Sequence, residues 1–269
     1  MKQLALLKMM TAARRAAAIS FLCMIAMACS GAQQTETAEG HYKLGATYFE
    51  MGDLNGAIAE YQAALRLSPN HVQARASLCI ALYANNDLSG AIAECQAALQ
   101  LNPNLAEVHY RLGLALSDKG DLNKAIVEYR AAIRLDSSLV GAHFNLGVAL
   151  RKKEDVRGAI AAYQAALGVN PNYVPALNNL AWLYATTGDA TLRNLPKALE
   201  YALQAVALEH ATNAHPLDTL AEVYYVNRDY GNAVLSERKA LALQLDDATR
   251  KNLTANLEKY EQAQKQPPR

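Results

Sequence analysis

A single period governs most of the chain. The string GAIAEYQAAL at Gly56–Leu65 returns as GAIAECQAAL at Gly90–Leu99, as KAIVEYRAAI at Lys124–Ile133 and as GAIAAYQAAL at Gly158–Leu167. Its small second residue falls at Ala57, Ala91, Ala125 and Ala159, 34 residues apart each time. An aromatic-type slot recurs at Tyr61, Cys95, Tyr129 and Tyr163, and a further small slot at Ala64, Ala98, Ala132 and Ala166. Each unit closes at Pro69, Pro103, Ser137 or Pro171. The preceding half repeats as well, with Leu44-Gly45, Leu78-Cys79, Leu112-Gly113 and Leu146-Gly147. Turn signals separate the halves at Gly52-Asp53, Asn86-Asp87, Gly120-Asp121 and Glu154-Asp155. Within each half the apolar residues keep helical spacing (Leu44, Tyr48; then Ala57, Tyr61, Ala64, Leu65), so each period holds two helices with one buried stripe apiece. Small residues at Gly45 and Ala57 let the two helices approach closely, and Tyr61 fills the space beyond them. One such pair cannot bury both of its faces, so neighbouring pairs must stack. Composition agrees: 52% of the residues are hydrophobic, yet Phe numbers 3 and Trp 1, so Ala and Leu carry the apolar share and a large β protein is excluded.

This 34-residue pattern resembles the tetratricopeptide repeat family, over roughly Ala38 to Leu245. Two further copies are degenerate. Leu180-Ala181, Tyr184, Gly188-Asp189 and Ala198 form the fifth, whose inter-helix loop carries five extra residues within ATLRNLP. Leu220-Ala221, Tyr224, Asp229 and Ala233 form the sixth, with Glu237 in its aromatic slot. The resemblance implies an all-α, right-handed superhelical α-solenoid of about six tetratricopeptide helix pairs. The repeats are expected near 38–71, 72–105, 106–139, 140–173, 174–213 and 214–245. A C-terminal capping helix is expected over 246–264, with Leu253, Leu257 and Tyr260 on one side, followed by a disordered tail at 265–269.

The first 28 residues read as an export signal. Lys2, Lys8, Arg14 and Arg15 precede an apolar run, Ala16–Ala28, too short to span a bilayer. Ala26-Met27-Ala28 satisfies the small-x-small rule of ordinary cleavage, yet Cys29 follows at once and the segment resembles a bacterial lipobox, although Ala26 stands where such boxes usually carry Leu. Two mature forms stay open: an outer-membrane lipoprotein acylated at Cys29, with Ser30 resembling outer-membrane sorting, or a soluble periplasmic protein. Residues 29–37 read as a flexible linker. Loss of the signal leaves 22 bases against 25 acids, so no positive excess supports nucleic-acid binding.

No HExxH, GxSxG, Walker-type or GxGxxG motif occurs, and the carboxylates lie scattered along helix surfaces. No catalytic residue, metal ligand or cofactor site is expected. His41, His109 and His143 share one slot in the first, third and fourth copies. Repeats stack on the order of 10 Å apart, too far for a shared metal, so these histidines read as partly buried packing residues. Cys79 and Cys95 lie eight residues either side of Asp87, which places them opposite each other across the second helix pair. A disulfide and two buried free thiols both fit.

In the tetratricopeptide family the first helix of each pair lines the concave face. The resemblance therefore implies a partner-binding groove here, with Tyr42, Tyr83, Tyr110 and Phe144 as candidates in the first four copies. Asn178, Trp182 and Tyr225 continue the series in the degenerate ones. Tyr110 and Phe144 are expected to be the exposed anchors. Tyr42 and Ala46 stand where family members that clamp a carboxylate-ended tail carry Lys and Asn, so that ligand does not fit. The expected function is a non-enzymatic adaptor at the bacterial cell envelope that docks protein or peptide segments, as related lipoproteins assist assembly of envelope machines. The alternatives are a self-associating scaffold and a cleft for a small ligand.

Overall fold

The computed structural model describes residues 37–209 and 213–266. The export segment, Cys29, linker residues 30–36 and the last three tail residues lie outside the described part. Thirteen helices, and no strand, make up the described residues. They are α1 (Ala38–Glu50), α2 (Leu54–Leu67), α3 (Val72–Ala84), α4 (Leu88–Leu101), α5 (Ala106–Asp118), α6 (Leu122–Leu135) and α7 (Val140–Lys152). There follow α8 (Val156–Val169), α9 (Val174–Thr186), α10 (Leu195–Leu208), α11 (His215–Val226), α12 (Tyr230–Leu241) and α13 (Asp247–Lys265).

The repeat dictates where helices begin. Each even-numbered helix from α2 to α8 starts behind an Asp whose carboxylate accepts a hydrogen bond from the backbone three residues on. Asp53 takes it from Gly56 at 2.9 Å, Asp87 from Gly90 at 2.9 Å, Asp121 from Lys124 at 3.2 Å and Asp155 from Gly158 at 2.8 Å. Asp229 caps α12 in the same way, through Asn232 at 3.2 Å. The residue before each of these Asp caps adopts positive φ: Gly52, Asn86, Gly120, Glu154 and Arg228. Glycine enters that region without strain, whereas Glu154 and Arg228 do not. The extra residues of the fifth copy form an ordered loop, in which the Arg193 guanidinium donates to the Thr187 carbonyl at 2.9 Å and Asn194 caps α10.

The chain divides into two compact units, one ending at Ala115 and the other beginning at Leu116. In the first, α1 packs on α2, α2 on α3 and α3 on α4. Its core joins Ala57, Tyr61, Leu78, Ala81, Leu82, Ala91 and Ala115. In the second, α7 packs on α8, α8 on α9, α9 on both α10 and α11, α11 on α12, and α12 on α13. Its largest core cluster runs from Leu150 and Tyr163 through Leu180 and Ala202 to Val223. The last helix buries Leu253, Tyr260 and Ala263. It reaches Lys265, one residue further than expected, so the first residue assigned to the tail is helical.

Candidate partner-binding face

What lies beneath the first-helix face is set by one pair of slots. A Cβ on Gly45 would sit 2.7 Å from the Tyr61 ring, and one on Gly147 would sit 2.6 Å from the Tyr163 ring. Both glycines are therefore places where a ring from the second helix presses on the backbone of the first. In the second copy a disulfide between Cys79 and Cys95, with Cα atoms 5.2 Å apart, occupies both slots. The fifth copy fills them with Ala181 and Ala202, the sixth with Ala221 and Glu237, all four fully buried.

The histidine slot is structural. His109 and His143 direct Nε2 to the carbonyls of Pro103 and Ser137, at 3.1 and 3.0 Å, and Arg75 in the same slot donates to Pro69 at 3.0 Å. His41 instead pairs Nδ1 with Glu60 at 2.6 Å. Each of these side chains ties its helix to the turn before it or to its partner helix. Among the described residues no group of His, Cys, Asp and Glu is placed to hold a metal ion.

The seven candidate docking residues divide sharply. Tyr42 is half-buried, against Tyr61 and against His71, whose ring centroid is 5.2 Å away. Tyr83 is half-buried on the first unit's core. The expectation that Tyr110 and Phe144 stand exposed is not met, since both are half-buried. Phe144 packs on Tyr163 and Tyr173 at 5.6 and 5.5 Å, because the large rings of the neighbouring slots close over it. Tyr225 is half-buried beside the last helix, 5.1 Å from the Tyr260 ring and with Lys259 Nζ 4.1 Å above its own. Asn178 is half-buried and its carbonyl oxygen is enclosed without a hydrogen-bond partner. Trp182, at 40% relative exposure, is the exposed member of the seven.

Around Trp182 the second unit gathers further polar groups. The Arg151 guanidinium lies 5.7 Å from the Trp182 ring centre, and its Nε is enclosed without an acceptor. The Tyr163 hydroxyl is likewise enclosed, with the Arg151 side chain beside it. Burial pushes its pKa up to about 12, with the nearby Arg151 charge working in the opposite direction.

Tetratricopeptide repeat models match residues 42–106, 94–127 and 140–173, and a model described as TPR repeat matches 113–154, so matches run without a break over 42–173. The chain is a tetratricopeptide repeat protein. No curated protein matches it. Among solved structures, PilF of Pseudomonas aeruginosa superposes with a TM-score of 0.68 at 19% identity, covering 82% of this chain and 98% of its own. PilW, titled a widely conserved type IV pilus biogenesis factor, gives 0.65 at 18% identity over 82% of this chain and 97% of its own. YrrB, titled a tetratricopeptide protein with an unusual peptide-binding site, gives 0.59 at 19% identity over 72% of this chain and 97% of its own. At these identities the likeness establishes the fold.

Reading the tetratricopeptide slots singled out Asn178 and Trp182 but passed over Arg151 and Tyr163. Arg151 occupies, in the fourth copy, the slot that Tyr83 holds in the second, which was the available signal. Tyr163 sits in a core slot, and nothing in its spacing distinguishes it from Tyr61 or Tyr129.

Proposed function

We propose that this tetratricopeptide protein is a non-enzymatic adaptor that docks protein segments on the faces of its first helices, and that it works at a bacterial cell envelope. The observation that carries the docking reading is Trp182. Among the described residues every Tyr and Phe ring is buried or half-buried, yet this ring stands exposed beside a cation and an enclosed amide oxygen. Export is supported by the signal-like first 28 residues and by the Cys79–Cys95 bridge, which suits an oxidising compartment. The fold is shared with a type IV pilus biogenesis factor and with a protein that has a peptide-binding site. Envelope assembly and peptide docking are the roles proposed for this chain.

Crosslinked capture from native envelopes, comparing the wild type with Trp182→Ala, tests the docking face. A partner recovered by the wild type and lost by a variant of unchanged circular dichroism supports the reading. Equal recovery places docking elsewhere. For the anchor, incorporation of an alkyne fatty acid that disappears in Cys29→Ala supports the lipoprotein form, and no incorporation by the wild type leaves the soluble periplasmic form.

A further inference from the structure

The geometry points to an acidic, apolar peptide segment as the occupant of the Arg151–Tyr163–Asn178–Trp182 site on α7, α8 and α9, an inference that rests on the docking reading above and specifies its chemistry.

Among the described residues, Arg151 Nε and Asn178 Oδ1 are enclosed side-chain polar atoms with no hydrogen-bond partner, and the enclosed Tyr163 hydroxyl has the Arg151 side chain beside it. Buried polar groups are ordinarily paired, so such a concentration marks groups held for a partner that supplies the missing bonds. The three belong to one neighbourhood. Arg151 lies on the Trp182 ring and close enough to Tyr163 to influence its titration. Phe144 and Asn178 occupy the same slot on successive first helices, Phe144 touches the Tyr163 ring, and Asn178 stands one helical turn from Trp182 on α9.

The unmet valences specify the ligand. Arg151 is half-buried and makes no ion pair among the described residues, and the helix beside it, α9, carries no charged residue at all. A guanidinium held on an indole face offers a planar fork of N–H donors, which a carboxylate satisfies better than any neutral group. Asn178 Oδ1 accepts and cannot donate, so it calls for an N–H, which the main chain of an extended peptide supplies. The exposed indole takes an apolar side chain one or two residues along. Engagement requires the Arg151 and Asn178 side chains to swing toward the ligand, because Nε and Oδ1 are both covered in the free protein.

Trp182 is the one tryptophan in the chain, so its fluorescence reports on this site alone. The probe is the peptide acetyl-Gly-Glu-Leu-Glu-Leu-Gly-amide, titrated into the folded protein at low salt beside a twin in which Gln replaces each Glu. The expected result is a saturable change in emission, with the Gln twin about tenfold weaker, the equivalent of about 1.4 kcal/mol. Arg151→Met should erase the difference between the two peptides, Arg151→Lys should restore part of it, and added salt should weaken only the acidic peptide. Equal affinity for both peptides, or no saturable binding of either, overturns the acidic assignment. If partner capture from envelopes survives Arg151→Met but not Trp182→Ala, the docking reading stands and this inference fails. Loss of helicity in Arg151→Met would shift the decision to the salt dependence and the Gln twin, which need no variant.

Discussion

At Gly147 a methyl group would meet the Tyr163 ring at 2.6 Å, whereas at Gly168 it would meet nothing within 4 Å. The same substitution should therefore act in opposite directions at the two sites. Gly147→Ala forces the ring or the helix to move and should cost about 1 to 3 kcal/mol. Gly168→Ala, near the end of α8, should add about 0.5 to 1 kcal/mol by removing chain freedom from the unfolded state. Urea unfolding of the two variants checks both signs. Glu237 offers a second test. It fills a slot that holds Tyr in three other copies and is fully buried, with Asp218 and Asn256 beside it. Burial, with the Asp218 carboxyl beside it, pushes its pKa up to about 8, and Glu222 adds to the same effect. Below pH 4.5 the group is protonated both folded and unfolded and has no effect. As pH rises toward 8, the unfolded chain ionises Glu237 and the folded chain does not, so stability falls across that window and levels off above it. Glu237→Gln should flatten this slope, leaving the part that the likewise raised Asp218 contributes, and gain on the order of 4 kcal/mol at pH 8, with little change at pH 4. A thermal melt series whose slope is the same in both proteins would refute it.

Helix pairs are held together by different means in different copies. The α3–α4 pair is cross-linked through Cys79 and Cys95, with 16 residues of separation, in place of the Gly and Tyr that meet in the first and fourth copies. Closing so short a loop restricts the unfolded chain, and reduction should cost about 3 kcal/mol. Thiol labelling in denaturant should find neither cysteine free before reduction and both after it, with a lower melting temperature in the reduced protein. Between α7 and α8 the turn residue Glu154 has φ +63°, where Gly52 and Gly120 sit in the corresponding turns. Relief of that strain outweighs the added freedom of glycine, so Glu154→Gly should stabilise by about 0.5 to 1 kcal/mol in the same unfolding assay.

For the molecule as a whole, the last helix closes the C-terminal end of the repeats. Tyr260 donates to Glu222 at 2.7 Å, Lys259 pairs with the same carboxylate at 2.8 Å, and Asn256 donates to Asp218 at 3.0 Å. With Leu253 and Tyr260 buried, truncation after Leu245 should lose roughly 5 kcal/mol, at about 1.5 to 3 kcal/mol per large side chain. Because repeats depend on their neighbours, the loss should appear first as early melting of the α11–α12 pair. Hydrogen exchange in Tyr230–Leu241 that is unchanged by truncation would show that the helix is not a cap.

The 34-residue period by itself determined helix type and pairing, because a slot repeated four times reports both the spacing of one buried stripe and the turn that separates the two helices of a pair. The placement of Gly opposite Tyr and the longer loop before α10 followed from the same pattern, and the apolar side of α13 from its own helical spacing. Exposure did not. Tyr110 and Phe144 share a slot with Asn178, yet how far each is covered depends on the rings that adjoining helices bring alongside, as Tyr163 and Tyr173 do for Phe144. Whether Cys79 and Cys95 bond depended on a Cα separation of 5.2 Å that spacing alone could not supply. The raised pKa of Glu237 and the meeting of Arg151, Tyr163 and Trp182 were likewise decided by tertiary structure. Periodicity specifies which side of a helix is buried, whereas desolvation and unmet hydrogen bonds depend on which atoms of other helices arrive there.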